Sequence, residues 1–559
     1  MPLTPSEALT RWKSAQNRLC DAILEYTDAC NVLERSLHEH DSDDGVLSDL
    51  DTLLPGLSRH EDALRVARLG LAKTRNPTHA VTPIHKLHPD LLTLIFTLAT
   101  QQWMSKDFEI LRDQPASVTT LASVCSSWRR LLLQLPVFWS NLGIVLTGPA
   151  SEKSYERAAL WAKRAQSAPL WLTVFDTIVD RNETGRRPSH QVLSKSALAK
   201  MTQSCAPLMP FVRTLAIHIE DAMPTAIVHS LLGCWIRHGS LDVAERFELH
   251  AELHIPQLQI PVISPGYQGS DLPPSDVAPF LRSLRGIYLE NVIIDFGQVP
   301  YSGLTSLHIE FSSQTSWLPT EQDLVRLFTA NPGLRSLTLA GVSLGPDERI
   351  QSPIALDCLE QMRLEAPQDR DLGRVLSLIS SSSPAIRMAI TIGDDNGFEC
   401  VSAAQSFFSR TNVTVLFVDC AGESRDGGEP ALAALFASMP HLHTLILQSC
   451  DVSVPVLEQF AHWRASRHGL ENPWPALRTL HLYECRTRPG IIRRLVQIQS
   501  FETLGLFEPQ VWAVHSVWSS AWAHTNARAG IEQELLQKGI KVVWYWPDGT
   551  DLPSWTFMP

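Results

Sequence analysis

The chain has no C-x-x-C pair. Its ten cysteines are scattered from Cys20 to Cys485, which argues against a disulfide framework and against a zinc knuckle. No apolar run reaches the roughly 20 residues that a membrane-spanning helix needs. Positive charge is scarce: 47 Lys and Arg stand against 59 Asp and Glu, a formal net charge of −12. General nucleic-acid binding needs a basic face, and this balance argues against one. The opening Met1-Pro-Leu-Thr-Pro-Ser-Glu7 lacks the charged and apolar regions of a signal peptide. A cytosolic or nuclear location is therefore expected. The triplets beginning at Asn182 and Asn412 then match the glycosylation pattern by chance.

Catalytic constellations are missing too. There is no phosphate-binding glycine loop, no G-x-S-x-G elbow and no H-E-x-x-H. The nearest approach, His250-Ala-Glu252-Leu-His254, has H-x-E-x-H spacing within a strand-like alternation. A helical zinc pair wants Glu beside the first His and four residues from one His to the next, so a solvated polar face is expected here. Asp394-Asp-Asn-Gly397 reads as a turn without the remaining ligands of a calcium loop. Cys125, between Val124 and Trp128 on an apolar helical stretch, reads as an inert buried thiol. No enzymatic activity, metal or cofactor is expected.

What the chain does have is length and pattern. With 44% hydrophobic and 19% charged residues it has the composition of a folded protein. At 559 residues it is too long for one simple domain unless it is a repeat array. The first forty residues carry a heptad stripe: Leu9, Trp12, Gln16, Leu19, Ile23, Tyr26, Cys30, Leu33 and Leu37. A turn cluster, Asp41 to Gly45, precedes a second stripe at Val46, Leu50, Leu53, Leu57, His60, Leu64, Ala67 and Leu71, interrupted by Pro55-Gly56. The short turn favours a helical hairpin; the alternative is a coil for self-association through residues 5–72.

Residues 84 to 142 carry the most specific signal. Leu87-His-Pro89-Asp90-Leu91-Leu92-Thr-Leu-Ile95-Phe96 is followed, after a spacer, by Leu121-Ala-Ser-Val124-Cys125-Ser-Ser-Trp128-Arg129-Arg-Leu131 and then by Phe138-Trp139. Pro89 suits a first helical turn, where its missing N–H costs nothing, and Asp90 complements the helix dipole. Leu91, Leu92, Ile95, Phe96 and Ala99 fall at helical spacing on one side. The apolar period from Leu121 to Leu135 predicts another helix, which Pro136 ends. About sixty such residues are few for an independent core, which leaves apolar surface for a partner.

In both parts and in order, this segment resembles an F-box, whose pattern is roughly L-x-P-[DE]-[LI]-[LI]-x-x-I-F, then V-C-[KRS]-x-W-R-x-L, then [LF]-W. The spacer is long, and Gln101 to Ala116 reads as an inserted loop. F-box proteins abundant in mushroom-forming (basidiomycete) fungi have such a loop. The resemblance implies a substrate receptor that docks on a Skp-family adaptor and through it on a cullin–RING ubiquitin ligase. The matched positions implied to serve that docking are Leu87, Pro89, Leu91, Leu92, Ile95, Phe96, Val124, Cys125, Trp128, Leu131 and Trp139.

Beyond residue 145 the chain repeats itself. Four phrases share the form P-x-[LV]-[RH]-[ST]-L-x-[LI]: Pro210 to Ile217, Pro332 to Leu339, Pro440 to Leu447 and Pro475 to Leu482. Weaker copies sit at Leu284–Leu289, Leu304–Ile309, Leu359–Leu364, Val413–Val418 and Phe501–Leu506. Helical stretches lie between them, at Glu321–Ala330, Leu372–Ser380, Ala431–Ser438, Val454–Trp463 and Ile531–Gln537. Pro256–Pro279 reads as an insertion, and Ile540–Trp546 as a last strand. The skeleton L-x-x-L-x-L resembles the strand segment of leucine-rich repeats. Cys450 and Cys485 extend two copies to a position where a thiol can turn inward.

The expected fold is therefore α/β: an N-terminal helical hairpin or coiled-coil arm over 1–80, an all-α F-box over 81–145, and a degenerate leucine-rich-repeat-like solenoid over 146–559, with parallel strands on one face and helices on the other. Its concave side is expected to carry His308, Glu310, Arg363, Glu365, Phe417, Ile446, Gln448, His481, Tyr483 and Phe507. Mixed charge with several aromatics suits an unidentified protein substrate. The alternative is a ligase-independent scaffold that binds proteins through the repeats.

Overall fold

Among the described residues fourteen strands hydrogen-bond side by side, every one parallel to its neighbour and all in chain order. They are seen in a computed structural model that describes residues 4–39, 44–75, 83–101, 114–146, 151–175, 195–219, 224–251, 274–292, 301–311, 319–345, 352–366, 368–391, 401–419, 438–439, 441–449, 477–483, 485, 489–498, 501–507 and 532–545. The chain divides into two units, Met1–Phe96 and Thr97–Pro559.

The first unit is helical. A helix spans Pro5–Glu39 and another Asp44–Arg75. The first opens on a capping box: the Glu7 carboxylate accepts from the Thr4 N–H at 2.8 Å, and the Thr4 hydroxyl oxygen accepts from the Glu7 N–H at 3.3 Å. The second runs unbroken through Pro55, where an interruption was expected. The stripes that would face each other in a hairpin are uncovered. Every side chain from Thr4 to Ser36 is exposed, and no described side chain of the second helix is buried. A short 3-10 turn, Pro83–Lys86, leads to the helix Pro89–Gln101.

In the second unit, helices Gln114–Val124 and Ser126–Gln134 and the 3-10 turn Pro136–Trp139 precede the sheet. Its strands are β1 Asn141–Val145, β2 Leu170–Phe175, β3 Val212–Ile219, β4 Arg246–Ala251, β5 Gly286–Glu290, β6 Ser306–Glu310, β7 Ser336–Ala340, β9 Gln361–Glu365, β11 Ile386–Thr391, β12 Val413–Asp419, β13 Thr444–Gln448, β14 Thr479–Tyr483, β15 Thr503–Phe507 and β16 Lys541–Tyr545. The pair β8 (Ile354–Ala355) and β10 (Ile379–Ser380) forms a separate two-stranded sheet. Strand starts lie from 20 residues apart (Gly286 to Ser306) to 42 apart (Leu170 to Val212). A parallel neighbour requires a crossover of this length, and most of the crossovers carry a helix. The result is a long, solenoid-like α/β layer.

Register explains why the phrase L-x-x-L-x-L repeats. Leu172, Leu215, Phe247, Ile287, Leu307 and Leu337 pair in succession across β2 to β7, and all are buried. The residues two further on, from Val174 to Leu339, form a second buried ladder. Because side chains alternate across a strand, the residue between these two ladders, and the one after the second, face outward.

Polar plugs hold the turns. The buried Asn331 side chain accepts from the Leu304 N–H at 2.8 Å and donates to the carbonyls of Tyr301 and Leu327 at 3.0 and 2.8 Å. The Cys485 thiol turns inward and donates to the Leu447 carbonyl at 3.2 Å. Cys450 lies outside the described residues, as do the helix expected at 454–463, all but Ser438 of the one at 431–438, and the turn at 394–397. The expected insertion 256–279 ends early: Pro274 already opens the helix Pro274–Ser283, with Pro279 inside it. The expected loop 101–116 also ends early, because Gln114 begins a helix; residues 102–113 are outside the described set. Among the described residues no helix is long and apolar enough to cross a membrane.

Candidate functional site: an apolar helical surface and the outward face of the sheet

The helix Pro89–Gln101 starts where its sequence predicts, with Pro89 in the first turn and the His88 ring 3.2 Å from the Asp90 carboxylate. Its apolar residues form two stripes, not one. Leu92 and Phe96 are buried. Leu91, Leu94, Ile95 and Leu98, at spacings of three, one and three, are exposed, as is Pro89, while Leu87 is half-buried. Four large apolar side chains on one helical stripe in water is a feature that marks an interaction surface.

The second group lies in the other unit. The single helix expected across Cys125 is broken there. Cys125 is extended (φ −156°, ψ 166°) and caps the helix Ser126–Gln134, its Sγ accepting from the Trp128 N–H at 3.4 Å. It is half-buried, so the reading as a buried thiol on a helix face is corrected to that of an N-cap. The Arg129 guanidinium crosses the break to the Ala122 carbonyl at 2.9 Å. Val124, Leu133 and Val137 are exposed; Trp128 and Leu131 are half-buried. Trp139 is fully buried. Its indole N–H donates to the Leu132 carbonyl at 2.8 Å, its ring meets Trp161 edge-on at 5.3 Å, and the Arg164 guanidinium lies 4.4 Å from the ring centre.

The outward face of the sheet carries a run of rings. Phe175, His218, His250, Tyr288 and His308 follow one another across β2 to β6, with centroid separations of 5.1, 4.3, 4.6 and 3.8 Å. Carboxylates line the same run. The His250 Nδ1 is 2.9 Å from Glu290 and its Nε2 is 3.7 Å from Glu248; His308 Nε2 is 2.8 Å from Glu310. Burial opposes charge on His250, but the contacts with Glu248 and Glu290 outweigh it and raise its pKa. Burial, with the His250 charge beside it, holds His218 well below the ordinary histidine range. Burial and the surrounding carboxylates raise the Tyr288 hydroxyl.

Of the ten positions expected on this face, Arg363 and Glu365 are half-buried and paired at 3.0 Å, and His308 and Glu310 are paired as above. Phe417, Ile446 and His481 align across β12 to β14, and Gln448 pairs in register with Tyr483. Ile446 and His481 are buried, and burial pushes the His481 imidazole down to about 4. Phe507 ends β15, and its side chain is not among those described. Sequence reasoning missed Glu248, Tyr288 and Glu290 and read His250 as solvated, although Tyr288 lies within the weaker copy at Leu284–Leu289 and Glu290 directly follows it, at the positions of His308 and Glu310. Among the described residues no cluster of His, Cys, Asp and Glu could hold a metal ion. His250 is instead engaged by carboxylates of its own and the next strand; Glu252 and His254 fall outside the described residues.

No family model matches the chain, and no curated protein matches it.

Proposed function

We propose that the chain is the substrate-recognition subunit of an SCF-type ubiquitin ligase. In this reading residues 81–145 are an F-box that docks on a Skp-family adaptor and through it on a cullin–RING scaffold. The sheet region is a degenerate leucine-rich-repeat solenoid whose outward face holds a protein substrate. The chain makes no covalent intermediate; it acts by proximity, raising the effective concentration of substrate lysines near a charged conjugating enzyme.

The observation that carries the reading is the exposed stripe Leu91, Leu94, Ile95 and Leu98 beside exposed Pro89, in the first half of the motif. Buried Leu92 and Phe96 serve the helix's own packing, so contact with the adaptor falls to the exposed set. Trp139, locked by Leu132 and Trp161, acts structurally. On the sheet, His218, Tyr288 and His308 are buried among their neighbours, and the half-buried Phe175, Glu290, Glu310, Arg363 and Glu365 are what this face offers a protein partner.

Pull-down with a purified Skp-family adaptor tests the assignment, comparing wild type with Pro89→Ala/Leu91→Ala. Equal recovery would reject it. Affinity capture with and without proteasome inhibition then separates a ligase subunit, whose bound partner accumulates under inhibition, from a scaffold, whose partner does not.

A further inference from the structure

The helix Pro5–Glu39 extends about 50 Å at 1.5 Å per residue, yet every side chain from Thr4 to Ser36 is exposed. Ile23 and Tyr26, at the middle of its heptad stripe, are each about half accessible, at 51% and 53%. A helix gains most of its stability from packing an amphipathic face, and the second helix, Asp44–Arg75, does not cover this one.

We propose that the face is covered by a second copy of the same helix running antiparallel. Charge sets the direction of the pair. In the heptad frame that places Leu9 and Ile23 at a, and Trp12 and Tyr26 at d, the g positions are Ala8, Ala15, Ala22, Ala29 and Ser36, all small and uncharged. The e positions are Lys13, Cys20, Thr27 and Glu34. A parallel pair sets e against g, so Lys13 would face Ala8 and Glu34 would face Ala29, with no charge satisfied. An antiparallel pair sets e against e and g against g. With Ile23 packed on the partner's Tyr26, the layers continue as Leu19 on the partner's Cys30 and Trp12 on the partner's Leu37.

In that register Lys13 faces the partner's Glu34, and by symmetry Glu34 faces the partner's Lys13. Ala22 meets the partner's Ala29 on the other flank, where small side chains let the backbones approach. One register thus aligns the seam, with Gln16 on the partner's Leu33 as a polar layer within it, and sets both charged e positions against opposite charge over almost the whole helix. The dimer carries two copies of the outward sheet face, and a substrate with two binding segments would be held with an avidity that neither copy has alone.

The test uses the full-length chain and three charge variants, Lys13→Glu, Glu34→Lys and the double reversal, by light scattering and sedimentation over the micromolar range. All the changes lie on an exposed helical surface. The expected wild type is a dimer. Each single reversal sets like charges together twice, and the dissociation constant is expected to rise about tenfold. The double reversal restores it. A monomeric wild type would overturn the proposal. So would single reversals that leave the dimer unchanged, which is the result a parallel pair or another surface gives.

Discussion

The indole N–H of Trp139 donates to the carbonyl of Leu132 at 2.8 Å, fastening the end of the second motif helix to the turn that leads into β1. Leu132 is one of the last carbonyls of its helix, and besides the indole it accepts only a longer bond from the Leu135 N–H at 3.3 Å. Trp139→Phe keeps an aromatic ring but removes the indole donor and part of the ring's volume, with an expected loss of about 1–2 kcal/mol. Trp139→Ala also opens a cavity beside Trp161, and the expected loss is about 3–5 kcal/mol. Chemical denaturation should rank wild type above the Phe variant and the Phe variant above the Ala variant. Equal midpoints would show that the indole holds nothing.

Gly341 follows β7 in the left-handed region at φ +66°, and a Cβ there would lie 1.9 Å from the Phe311 carbonyl oxygen. Its N–H is held by the Glu365 carbonyl at 2.7 Å, so the backbone has no easy retreat. Gly341→Ala is expected to cost about 2–4 kcal/mol. Ser449 occupies the same place after β13, also left-handed at φ 55°. There Ser449→Gly should gain about 0.5–1 kcal/mol by relieving the backbone. Opposite shifts in the denaturation midpoints are the expected result.

Much of the sheet was legible because two positions in each strand must be apolar whatever the repeat length. That requirement survives spacings that vary twofold, and the aligned phrases fall on β3, β7, β13 and β14. Three features were not legible. The break at Cys125 leaves the apolar period intact, so periodicity reads through it. The two stripes of Pro89–Gln101 differ only in what covers them, which one helix cannot report. His250 read as part of a solvated face because strand alternation tells which way a side chain points, not who stands beside it. Its neighbours His218, Tyr288 and Glu290 come from strands that start 34 and 40 residues away, and they cover it. Register between distant strands is where the site was hidden.

His481 gives a pH signature. Its folded-state pKa is pushed down to about 4 by burial, while in the unfolded chain it lies near 6.5. The unfolded state therefore takes up the proton first. The stability His481 allows is present above about pH 6.5 and is lost as pH falls towards 4, by about 2–3 kcal/mol. His218, also lowered, acts in the same direction. His250, raised by its carboxylates, acts in the opposite one: its contribution is lost as pH rises through its folded-state value. Subtracting the denaturation profile of His481→Leu from that of wild type isolates the His481 component. A flat difference between pH 4 and 7 would contradict the assignment.

In the proposed function the exposed stripe of Pro89–Gln101 docks on a Skp-family adaptor. Titration calorimetry with purified adaptor, on the wild type and on Leu91→Asp/Ile95→Asp, tests it most directly. The expected result is binding by the wild type and a loss of at least about tenfold in the variant, since two apolar contacts at a buried interface are replaced by charges. The denaturation midpoint should fall only modestly, because Leu91 and Ile95 are already 50% and 42% exposed. No binding by the wild type, or equal binding by the variant, would contradict the account.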